Sequence, residues 1–186
     1  MNDKIEQKSD KKERAINAKD CAYIAVMVAL LIAAQLALST LPGVEVVTVL
    51  FLDFSFVFGV KRGMISATAF SILRQIVFGV FPTVFVLYLI YFNLLACIFG
   101  AFGKKWKPTM KNLVWITAIA CLCTAGFTML DNILTPLFYG YTPRAMEAYF
   151  YASIPFMISH LVCTAVSVGV LFLPLERIFR WIKTRL

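Results

Sequence analysis

Apolar runs dominate the chain after its first twenty residues, and short basic or Pro/Gly-containing breaks separate them. The first run, Cys21 to Leu38, holds 18 residues without a charge, close to the length an α-helix needs to cross a bilayer. Pro42 and Gly43 turn the chain after it. A second helix is expected from about Val44 to Val60, closed by Gly59-Val60-Lys61-Arg62-Gly63, and a third from Gly63 to Phe78. A fourth covers Thr83 to Phe102, and a fifth runs from Asn112 to Leu134, where Pro136 should stop it. Residues 137–146 read as a loop, and a sixth helix covers about Tyr149 to Leu173. From Pro174 to Leu186, Ile178, Phe179, Trp181 and Ile182 alternate with Arg177, Arg180, Lys183 and Arg185, the pattern of a helix lying in a membrane interface.

The expected fold is therefore an all-α compact bundle of six transmembrane helices over residues 21–173. A polar tail (1–20) precedes it and a basic amphipathic end (174–186) follows. Helices 2 and 3 are short for a bilayer and would need local thinning. Composition agrees: 61% of the 186 residues are apolar and 15% charged, against roughly 45–50% and about 25% in soluble domains. No small-residue cleavage site follows the charged tail, so the first helix is expected to be retained.

The net charge of +8 is not spread as a nucleic-acid footprint. Six Lys/Arg lie in the tail, two after helix 2, four after helix 4 and four at the C-terminal end. Of the eighteen, only Arg74 and Arg144 fall elsewhere. With six crossings all these clusters share one face, which the positive-inside rule makes cytoplasmic, together with both termini. Trp106, Trp115 and Trp181 fall near that boundary. The five cysteines match no zinc or disulfide spacing and read as packing residues.

This topology gives each polar residue a depth. Gln35, Glu45, Arg74, Gln75, Tyr88, Asp131, Asn132 and His160 fall in the outer or middle part of their helices, and Asp53, roughly at mid-depth in helix 2, reads as an internal pairing partner. Buried charges cost about 2.5–3.5 kcal/mol even on the mild insertion scale, so such groups face a bundle interior or a cavity. Thr117, Cys121, Thr124, Thr128, Asp131 and Thr135 share one face of helix 5, and Ser153, Met157, His160, Thr164 and Ser167 one face of helix 6. Two such stripes point to a hydrated interior opening outward. Each residue also has a bland reading: Arg74 pairs with Asp53 or Asp131, His160 is a bonded packing residue, Asp131 and Asn132 cap helix 5, and Glu45 is solvated. The aromatics Phe81, Tyr88, Tyr91, Tyr139 and Tyr141 are either interface anchors or walls for a planar ligand.

No His-Glu-x-x-His helix, Gly-x-Ser-x-Gly elbow or Walker loop occurs, and one histidine cannot build a multi-histidine metal site. Neither an enzyme nor a self-powered ATP-driven pump is expected.

Ala25, Ala29, Ala33 and Ala37 recur every four residues in helix 1 and form a smooth stripe on which another helix can pack. This stripe, within AYIAVMVALLIAAQ, and the run PGVEVVTVLFLDFSFVFGVKRGMISA with its Gly59/Gly63 pair together resemble a known family. They are similar to the substrate-binding S components of energy-coupling factor (ECF) type vitamin transporters of bacteria. The resemblance implies a multi-pass protein of the bacterial plasma membrane that takes a vitamin or related micronutrient from outside, with no covalent cofactor. It implies a separate transmembrane coupling protein and two ATPase subunits that use the ATP. The helix 1 alanines, Ala25 and Ala29 with Ala33 beside them, would dock on the coupling protein, and the whole subunit would topple to deliver its ligand. Ligand contacts do not carry over, so the polar residues above rest on depth and face alone. The alternatives are a self-contained secondary transporter or channel, which would favour internal repeats and a polar path reaching both faces, and a small membrane enzyme using His160.

Overall fold

The six helices follow from local signals that a computed structural model turns into a bundle; the structure describes residues 16–38 and 46–185. Helix α1 (Ala18–Ala37) starts where the Asn17 backbone N–H donates to Asp20 Oδ2 at 3.2 Å, one arm of a capping box. Its buried face is Ile24, Met27, Val28 and Leu31, at the i, i+3, i+4, i+7 spacing of a helix stripe. Ala25, Ala29, Ala33 and Ala37 are exposed on another face.

Helix α2 (Val46–Phe58) is the axis of the molecule. Every residue from Thr48 to Phe58 is buried, as expected of a helix that is apolar all round. It packs against α1, α3 (Val60–Phe78), α4 (Pro82–Lys105) and α6 (Pro143–Arg185). Its 13 residues reach only about 20 Å, short of the ~30 Å hydrocarbon core. Phe51, Phe54 and Phe56 interlock edge-on with Phe92, Phe179 and Phe172. Lipid tails are as apolar as these side chains, so close packing rather than expulsion from water holds such contacts together.

The break between α2 and α3 is one residue. Gly59 adopts φ +88°, a conformation that costs a side-chain-bearing residue dearly, and α3 begins directly at Val60. Gly63, expected at the turn, lies inside α3 against Ser55 and Ala96. On α4, Gly103 lets the helix pass the end of α2: an added Cβ would sit 1.8 Å from the Phe56 carbonyl oxygen.

Two prolines expected to mark breaks, Pro136 and Pro174, do not end helices. Helix α5 (Met110–Tyr139) runs through the buried Pro136 and ends at Gly140, which has left-handed φ +63°. The loop to α6 is residues 140–142, much shorter than the expected 137–146. Pro143 sits at the first position of α6, where its missing N–H costs nothing. Helix α6 then continues for 43 residues through Pro155 and Pro174. Neighbouring helices can support a proline-interrupted helix where an isolated one would break.

The end of α6 consequently does not form a separate surface helix. Phe179 is buried against Phe54 and Phe58, and Glu176, also buried, binds Arg180. Lys183 Nζ donates to the Val57 carbonyl at 2.5 Å, while Arg62 Nη1 donates to the Phe58 carbonyl at 3.0 Å and Arg62 Nε pairs with Asp20 Oδ1 at 2.7 Å. Two cations thus satisfy the orphan carbonyls that close α2 and complement its dipole. These contacts bring the start of α1, the end of α2, the start of α3 and the end of α6 to one end of the bundle. That end carries Lys19, Lys61, Arg62, Lys104, Lys105 and the cations of late α6. Among the described residues, α1, α4, α5 and α6 are long and apolar enough to cross a membrane. Helix α3 has the length but carries Lys61, Arg62 and Arg74.

Candidate functional site

At the end opposite the cations, five helices surround a cavity of about 310 Å³, within the range of small-molecule sites. Gln35 and Leu38 come from the end of α1, and Val47 and Thr48 from the start of α2. Tyr88, Tyr91 and Phe92 come from α4, Thr124 and Phe127 from α5, and Phe156 and His160 from α6. The helical repeat sets this arrangement: positions 88, 91 and 92, and likewise 156 and 160, share a helix face.

Aromatic rings form most of the wall. Tyr88 meets Phe92 at 5.3 Å and Phe127 at 6.0 Å between centroids, and Tyr91 meets Phe127 at 4.7 Å. The Phe156 and His160 rings are 4.1 Å apart. The polar part of the wall is an amide, hydroxyls and an imidazole. None of the described residues lining the cavity is Asp, Glu, Lys or Arg. Gln35 Nε2 donates to the Tyr88 hydroxyl at 3.1 Å, whereas the buried Gln35 Oε1 accepts no hydrogen bond from the described residues. A buried acceptor without a donor is the exception in folded proteins, and this one belongs to a cavity-lining side chain.

Of the residues singled out by depth, Gln35, Tyr88 and His160 line the cavity. Arg74 does not, but its guanidinium lies 4.5 Å from the Tyr88 ring centroid and 5.3 Å from that of Phe78. Its Nε and Nη1 are buried and make no hydrogen bond with the described residues. The ion pair that was the alternative reading of Arg74 does not form: both Asp53 oxygens are buried and accept nothing from the described residues, and Asp131 binds elsewhere. Gln75 Oε1 accepts the Phe81 backbone N–H at 3.0 Å and so fastens the turn between α3 and α4.

Asp131 and Asn132 serve the α5–α6 hairpin. Asp131 accepts from Thr135 Oγ1 at 2.7 Å and from the Tyr149 hydroxyl at 2.8 Å, and Asn132 Nδ2 donates to Ser153 Oγ at 2.8 Å. The stripes expected to line a hydrated interior largely meet each other: Thr124 and Thr164 share a hydrogen bond of 3.1 Å, and the Cys121 thiol approaches the Leu161 carbonyl at 3.8 Å. They reach the cavity only at Thr124 and His160. Glu45 lies outside the described residues. Thr48, Phe92, Phe127 and Phe156 line the cavity without having been singled out from the sequence. The one available signal was the i, i+3, i+4 spacing of Tyr88, Tyr91 and Phe92.

Ala25, Ala29 and Ala33 are exposed, and no helix among the described residues covers the stripe. No group of three or more His, Cys, Asp or Glu suited to a metal occurs among the described residues. No family model, no curated protein and no solved structure matches the chain.

Proposed function

We propose that this protein is the membrane-embedded substrate-binding subunit of an ECF-type importer. It crosses the bacterial plasma membrane six times, with the short α2 in the interior of the bundle and both termini in the cytoplasm. The observation behind this reading is the aromatic cavity at the end of the bundle away from the cations. The positive-inside rule turns that end outward, so the site receives solute from outside. The exposed alanine stripe of α1 supports a second role, docking on a transmembrane coupling protein that joins the subunit to two ATPases. The chain itself hydrolyses nothing.

The wall chemistry narrows the ligand. Rings on several sides favour stacking, while Gln35, Tyr88, Thr124 and His160 offer hydrogen-bond donors and acceptors. We infer a compact, ring-containing micronutrient of the vitamin class, recognised through its flat faces and amide- or hydroxyl-like edges. Titration calorimetry on the purified protein, with a panel of such compounds and without ATP, tests the reading. Saturable binding of one compound is expected; a well-folded preparation that binds none contradicts it. The competing reading, a self-contained secondary transporter, predicts ion-coupled flux by the protein alone in vesicles.

A further inference from the structure

Arg74 carries a charge that no described carboxylate answers. Its guanidinium lies 4.5 Å from the Tyr88 ring centroid and 5.3 Å from that of Phe78, and its buried Nε and Nη1 make no hydrogen bond with the described residues. The Arg62–Asp20 and Arg180–Glu176 pairs lie at the opposite end of the bundle. Towards the cavity end, the other charged groups among the described residues belong to the α5–α6 hairpin. Asp131 is bonded to Thr135 and Tyr149, and Arg144 and Glu147 are exposed. Two ring faces give the guanidinium only a partial counter-charge. A cation held away from water without an opposite charge is a standing cost, and an arriving anion relieves it.

This charge stands next to a cavity wall, because the same Tyr88 ring that carries the guanidinium also lines the cavity. A ligand ring resting on Tyr88 adds one ring contact to that separation, so a substituent on it lies roughly 10–12 Å from the guanidinium. At an effective dielectric of about 20, two unit charges ~12 Å apart change an affinity about tenfold. Solvent at the cavity mouth screens part of this. The lining sets no opposing field, since none of its described residues is Asp, Glu, Lys or Arg. We propose that Arg74 sets the charge class of the ligand: the cavity takes a ring-bearing acid, with a carboxylate on an aromatic or heteroaromatic frame, in preference to a neutral or cationic compound of the same shape. The guanidinium acts across the Tyr88 ring and does not touch the ligand. The inference rests on the cavity being the ligand site and adds a charge to the ring shape inferred above.

The test uses the full chain in an uncharged detergent at neutral pH, with ring compounds in matched series of acid, amide and amine. The series are nicotinate, nicotinamide and 3-(aminomethyl)pyridine; indole-3-acetate, indole-3-acetamide and tryptamine; and benzoate, benzamide and benzylamine. Ligand-observed NMR titration gives the affinity of each for the wild type, Arg74→Gln and Arg74→Lys. In every series that binds the wild type, the acid should bind most tightly and the amine most weakly. The acid-to-amide ratio should fall about fivefold in Arg74→Gln and stay within about twofold of the wild type in Arg74→Lys, which keeps the charge. A structural role alone would weaken all members alike and leave that ratio unmoved. Should Arg74→Gln not fold, the wild-type order decides by itself. An acid that binds no more tightly than its amide, or a ratio unchanged in Arg74→Gln, would overturn the inference and leave the cavity as the ligand site. An acid preference that arises only in Glu45→Gln would also overturn it, by giving Arg74 a counter-charge within the chain. Failure of every compound to bind the folded protein, whatever its charge, would contradict the ligand site itself and this inference with it.

Discussion

Tyr88 is held from two directions. Its hydroxyl accepts from Gln35, and its ring carries the Arg74 guanidinium on one face. A cation over a desolvated ring contributes on the order of 2 kcal/mol, so Arg74 fixes the orientation of a side chain that lines the cavity and, in the proposed binding role, is a positioning residue. Tyr88→Ala should lower ligand affinity at least tenfold, a loss of about 1.4 kcal/mol. Arg74→Ala should lower it by less, with Arg74→Lys recovering part of the loss. Calorimetric titration of the three variants checks the order; a greater loss in Arg74→Ala than in Tyr88→Ala would put the guanidinium in direct contact with the ligand. Gln35, Tyr88 and His160 were legible in the sequence because a polar group within an apolar run must face something other than lipid. Phe92 had only its helical spacing from Tyr88 and Tyr91 to mark it, and Phe127 and Phe156 had nothing, because among 17 phenylalanines composition does not separate a cavity wall from packed core. Asp131 and Asn132 passed the same depth filter yet meet partners on their own hairpin, since the short 140–142 connection brings Tyr149 and Ser153 alongside them.

At the scale of the element, α2 depends on how closely its neighbours approach. Gly103 on α4 sits against the Phe56 carbonyl, and a methyl group there must displace backbone. Gly103→Ala should therefore lower the thermal unfolding midpoint in detergent, by the equivalent of about 1–3 kcal/mol of overpacking. Gly126 on α5 has nothing within 4 Å of an added Cβ, so Gly126→Ala should be neutral or stabilise by up to about 1 kcal/mol. An unchanged midpoint in Gly103→Ala would contradict the tight passage of α4 past α2. Helix number and order were legible from the apolar runs and their basic breaks. Helix ends were misread at Pro136 and Pro174, where local propensity yields to packing: Pro136 is buried, and Phe172, Glu176 and Phe179 on either side of Pro174 are all buried too. Basic residues near Pro174 resembled an interfacial helix, whereas Lys183 closes α2 by bonding to Val57.

The whole molecule has a polarity that its parts do not. The start of α1 and the end of α6 share the basic end, the aromatic cavity lies at the other, and the alanine stripe runs exposed along α1 between them. In the proposed importer, capture and delivery use different surfaces, so they should separate by mutation. Ala29→Trp should abolish uptake in cells that hold the coupling protein and ATPases while leaving ligand affinity within about twofold, since surface changes away from packed features stay within ~0.5 kcal/mol. Parallel uptake and titration assays check this, and loss of affinity with uptake preserved would reverse the assignment of the two surfaces. The measurement that bears most directly on the capture role is mass spectrometry of small molecules released from the purified protein, compared with Leu38→Trp, which places an indole at the cavity wall. One ring-containing compound should be released in near-stoichiometric amount from the wild type and be lost from the variant. An equal yield from both proteins, or no compound from a wild type that also fails to bind the micronutrient panel, would contradict the account.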